Sequence, residues 1–141
     1  MRRLTLIAVA ILSTLALALA GCGDSDSEEA QDAVCDARAG IQSSVADLRA
    51  LTPATATADQ VQGELQSIQS DLATIDENAA QLDEDRRDQV ETATAQFELQ
   101  LQDLARDLSG LTVPEARQRF RTSVADLESA YRSSLEPIDC G

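Results

Sequence analysis

Histidine, lysine and tryptophan are absent from this 141-residue chain, and its aromatic residues are limited to Phe97, Phe120 and Tyr131. Without histidine or lysine, the commonest general base and the Schiff-base amine are missing. So few aromatic rings leave no stacking platforms of the kind a glycosidase uses. Glycine-rich phosphate loops are absent too, which argues against nucleotide binding. Carboxylates are plentiful, yet they fall at helical surface positions such as Asp71, Asp103 and Asp107. Asp24, Asp26 and Glu28 match the start of a calcium loop only faintly, because Glu29 stands where that loop requires glycine. The residue inventory therefore points to a protein that is not an enzyme, with no catalytic residue, no metal site and no cofactor; a paired-carboxylate hydrolase is the one enzymatic alternative that composition leaves.

The one long uncharged run lies at the start. Arg2 and Arg3 precede Leu4 to Ala18, and small residues lead from there to Cys22, which together make the three parts of an export signal. The run is at the short end of the roughly 17–25 residues that a bilayer span requires. Leu19-Ala20-Gly21-Cys22 resembles the lipobox of bacterial lipoprotein precursors, and the resemblance covers this N-terminal segment alone. It implies that residues 1–21 are a signal peptide, that Cys22 receives a diacylglycerol and becomes the first mature residue, and that the protein is held at the extracytoplasmic face of the cell membrane. Two acyl chains anchor durably, at about 0.8 kcal/mol per buried methylene. Gly23 to Glu29 is small and acidic, so residues 22–29 read as a flexible, solvated tether in front of a domain spanning 30–141.

With the signal removed, nine arginines face 25 acids, a side-chain charge of −16. Such a surface repels nucleic acid and anionic headgroups and favours cationic partners. Arg117, Arg119 and Arg121 form the one basic cluster behind the signal. They are candidate contacts for an anionic partner, with pairing to neighbouring acidic helices as the alternative.

If Cys22 carries lipid, Cys35 and Cys140 remain as an even pair in an oxidising compartment. No Cys-x-x-Cys pattern or histidine suggests a redox or metal role. A Cys35–Cys140 disulfide would close nearly the whole domain, worth about 4.7 kcal/mol for a ~100-residue loop in the chain-entropy model.

From residue 34 onward the apolar pattern is helical. Val34, Ala37, Ile41, Val45, Leu48 and Leu51 form one stripe, which stops at Thr52-Pro53. Thr57 and Gln60 have capping-box spacing, and Val61, Leu65, Ile68, Leu72, Ile75, Ala79 and Leu82 follow in a strict alternation of four- and three-residue steps. The stripe breaks at Arg86. Asp83-Glu84-Asp85 suits a new helix start there, ahead of Val90, Ala93, Phe97, Leu101, Leu104 and Leu108. Gly110-Leu111 reads as a glycine cap. A last helix opens near Thr112 to Pro114, carries Ala116, Phe120, Val124, Leu127 and Tyr131 on its core face, and ends before Pro137.

Four amphipathic helices of similar length with short turns favour an all-α, up-down-up-down four-helix bundle, which also returns Cys140 to the end where Cys35 lies. The alternative fuses the second and third helices into one rod, since neither glycine nor proline interrupts Gln81 to Val90. A sequence echo joins the outer helices: Asp36-Ala37-Arg38 and Ser44-Val45-Ala46-Asp47-Leu48 recur as Glu115-Ala116-Arg117 and Ser123-Val124-Ala125-Asp126-Leu127. Shared packing is its simplest reading.

The domain also resembles the small, acidic, alanine-rich helical lipoproteins of GC-rich bacteria, a likeness that implies no particular activity. The functional expectation is a lipid-anchored interaction or scaffold module that meets an envelope protein. The alternative is a ligand-binding lipoprotein with a small apolar pocket or an acidic surface for divalent cations.

Overall fold

The computed structural model describes residues 22–52, 54–109 and 113–140, with the side chains of 22–24, 108, 113, 116 and 117 left out. The signal segment, including Leu19-Ala20-Gly21, therefore lies outside the described residues, as do Gly110, Leu111 and Thr112. Four helices follow one another: α1 (Cys22–Ala50), α2 (Ala58–Ala79), α3 (Glu84–Leu108) and α4 (Val113–Ala130). A single π-helical turn, Tyr131–Leu135, continues α4. Each helix packs on its neighbours in the cyclic order α1, α2, α3, α4 and back to α1. This is the up-down-up-down four-helix bundle.

Local chemistry accounts for the boundaries. Thr57 closes a capping box, its hydroxyl oxygen accepting from the Gln60 amide at 3.2 Å while its own amide donates to Gln60 Oε1 at 3.1 Å. Two of the orphan donors of α2 are thereby satisfied. The fused rod is excluded by the chain between α2 and α3. Gln81 and Leu82 turn back onto the carbonyls of Asn78 and Ala79, and Asp83 leaves the helical region with ψ near 158°. Its Oδ1 then accepts from the Arg86 amide at 3.0 Å as the N-cap of α3. Here α2 ends at Ala79 in a backbone turn and a carboxylate cap opens α3, without any glycine or proline.

At the other end of the chain the expected tether needs correction. Residues 22–29 are the first turns of α1, not an irregular linker. Helix propagation adds one hydrogen bond per residue once a nucleus exists, and the acids of this stretch face the positive end of the helix dipole. Asp26, Glu28 and Glu29 are exposed, so this part of α1 remains solvated.

One continuous core fills the bundle. Ile41, Leu48, Ile68, Ile75, Phe97 and Leu135 are fully buried, and Phe97 meets Tyr131 edge-on at 6.4 Å. Each large side chain buried this way contributes roughly 1.5–3 kcal/mol. Leu51, Val61 and Leu65, expected in the core stripes, are only half-buried against it. The outer-helix echo has a packing meaning, since Ser44 and Ser123, Val45 and Val124, and Leu48 and Leu127 are all buried.

Candidate functional site: the cysteine frame

Cys35 sits on α1 and Cys140 on the segment that follows the π-turn. The two are bonded, with Cα atoms 5.7 Å apart. Cys22 opens the same helix thirteen residues before Cys35. At 1.5 Å per residue that places it about 20 Å along the axis, far beyond the ~7 Å within which two cysteine Cα atoms can be bridged. A continuous α1 therefore separates the chemistry of Cys22 from that of the disulfide. The Cys22 side chain itself lies outside the described residues.

Residues 136–139 are held by more than the bridge. The Arg38 guanidinium donates through Nη1 to the carbonyls of Glu136 at 3.1 Å and Ile138 at 2.9 Å. Gln89 Nε2 donates to the Pro137 carbonyl at 3.3 Å, and Gln31 Nε2 to that of Asp139 at 3.4 Å. Gln31 is in turn fixed through its Oε1 by Arg86 of α3. Four successive carbonyls thus accept from side chains of α1 and α3, while the Ile138 amide donates to Leu135 O. Sequence reasoning missed this arrangement. The available signal was Arg38 itself, three residues after Cys35 and so on the same helix face.

Of the three clustered arginines, the side chains of Arg119 and Arg121 are described. Arg119 lies 3.8 Å from Asp107 of α3, whose other oxygen accepts from Ser123 at 3.2 Å. Arg121 is exposed, and the side chain of Arg117 lies outside the described residues. Elsewhere, Arg49 and Arg132 converge on the same oxygen of Glu128, at 2.8 and 2.6 Å.

Asp103 pairs with Arg106 at 2.7 Å on the surface. Asp71 differs from the expected surface carboxylate. Its carboxyl lies so near Gly40 that a Cβ there would overlap it, and partial burial raises its pKa above the ordinary value. Tyr131 has a raised pKa as well, chiefly from burial, with Arg38 lowering it and Glu136 raising it.

Among the described residues, no three acidic or cysteine side chains converge as a metal site would require, and no helix is long and apolar enough to cross a membrane. Open grooves follow the helix seams, one of about 510 Å³ beside Arg119 and Asp126 and one of about 390 Å³ beside Arg49 and Tyr131. Both open at the surface, and the second reaches the core residues Val45 and Tyr131. A void of about 10 Å³ lies under the disulfide, between Val34, Leu82, Val90 and Ile138, close to the minimum for one water molecule. No family model matches the chain, and no curated protein or solved structure is similar to it.

Proposed function

We propose that this protein is a lipid-anchored helical module at the outer face of the cytoplasmic membrane, where it acts by binding a protein partner and not by catalysis. The Cys35–Cys140 disulfide carries the reading. Such bonds persist in oxidising compartments, and this one consumes the two cysteines that are not in the lipobox, so that Cys22 is left over. The side-chain charge of −16 behind the signal adds to this, since it keeps the bundle off anionic headgroups and selects a cationic protein face. The first turns of α1 then serve as a helical spacer between acyl chains and bundle.

Cell fractionation tests the reading. The wild-type chain is expected in the membrane fraction and in the detergent-rich phase on cloud-point partition. Cys22→Ser is expected to carry no acyl chain, and either to leave that phase or to persist as the uncleaved precursor, while keeping the bundle's helical circular dichroism. A Cys22→Ser chain that remained acylated and membrane-bound would refute the proposal.

A further inference from the structure

We propose that residues 136–140 form a strap that docks on the bundle before the disulfide exists, and that Arg38 is the positioning residue that brings Cys140 to Cys35. Three observations combine. First, the carbonyls of Glu136, Pro137, Ile138 and Asp139 are each bound by a side chain of α1 or α3, and Arg38 holds two of them with one nitrogen. Secondly, Ile138 is buried in the common core cluster, so the strap has an apolar anchor independent of sulfur. Thirdly, Arg38 stands one helical turn from Cys35, and the carbonyls it binds belong to the second and fourth residues before Cys140. None of these contacts requires the covalent bond. Docking instead raises the effective concentration of one thiol at the other, which is the quantity that governs intramolecular disulfide formation.

The same device explains which of three cysteines pair. A docked strap presents Cys140 to Cys35 and leaves Cys22 about 20 Å away along α1. With glutathione disulfide as oxidant, the step is an exchange. The Cys35 and Cys140 thiols lose two protons and two electrons and form one S–S bond, while the S–S bond of glutathione disulfide breaks to give two glutathione thiols.

The test is a thiol–disulfide equilibrium in glutathione buffers, using the full chain in detergent micelles with Cys22→Ser so that a single pair can form. Arg38→Met keeps the aliphatic stem and removes the donors. It is expected to lower the oxidation equilibrium constant severalfold, because that constant scales with the docked fraction of the reduced chain and the lost charge-assisted hydrogen bonds remove most of that fraction. Arg49→Met, an equal loss of charge on the same helix but at the Glu128 pair, is expected to change it by less than about twofold. Equal constants for Arg38→Met and its parent would overturn the proposal, as would an equal fall in Arg49→Met. A second measurement leaves Arg38 intact. In the reduced parent chain the Ile138 amide, bonded to Leu135 O, is expected to exchange with deuterium severalfold more slowly than in the unfolded chain. Exchange there at the unfolded rate would show that the strap docks only after oxidation, contrary to the proposal.

Discussion

Asp71 is held where a carboxylate is partly stripped of water, because α1 presents Gly40 opposite it. The consequence for stability has a definite sign. Below the ordinary carboxyl pKa of 3.8 the group is neutral in both folded and unfolded chains and carries no penalty. As pH rises through the raised folded value, the folded state must accept a charge it disfavours, and stability is lost. Asp71→Asn is therefore expected to be more stable than wild type at about pH 7, with the difference vanishing near pH 3, as urea denaturation at the two pH values would show. The glycines make a matching contrast. A Cβ at Gly63 would meet nothing within 4 Å, so Gly63→Ala is expected to raise stability by about 0.5–1 kcal/mol through helix propensity alone. Gly40→Ala is expected to give no such gain, since its methyl displaces the Asp71 carboxyl. Thermal melts of the two variants side by side check the pair.

Helix boundaries rest on single caps, and those were largely legible in the sequence. The Thr57 and Gln60 spacing and the acids at Asp83 to Asp85 mark the starts of α2 and α3, because a capping side chain is chosen for local geometry that three or four residues specify. Asp83→Ala is expected to cost about 1 kcal/mol, read from the denaturation midpoint, with the four helices retained. The stripes likewise identified most of the core, since burial imposes a period that composition alone does not. Other features had no such signature. The acidic composition of Gly23 to Glu29 resembles a linker, whereas the helix already nucleated downstream extends through it. The half-burial of Val61 and Leu65 is set by packing between helices, a property of the assembled bundle. The seat of residues 136–139 consists of side-chain donors on backbone carbonyls, which leave no periodic trace.

At the scale of the whole molecule, the bundle is held by its core and its bridge, with little help from its surface. Described ion pairs such as Arg106–Asp103 and Arg119–Asp107 are largely solvent-facing, and pairs of that kind contribute at most about 1 kcal/mol each. The disulfide, closing a loop of 105 residues, is worth about 4.7 kcal/mol in the chain-entropy model. It also assigns the cysteines, two to the bundle end and one to the start of α1. On the proposed reading, Cys22 bears lipid while Cys35 and Cys140 are bonded to each other. Mass spectrometry of the membrane-extracted protein, digested without reduction, tests it most directly. Expected are an N-terminal peptide that begins at a diacylglyceryl-modified Cys22 and a linked peptide pair containing Cys35 and Cys140. An unmodified Cys22 within an uncleaved chain, or Cys22 joined by a disulfide to either other cysteine, would contradict it.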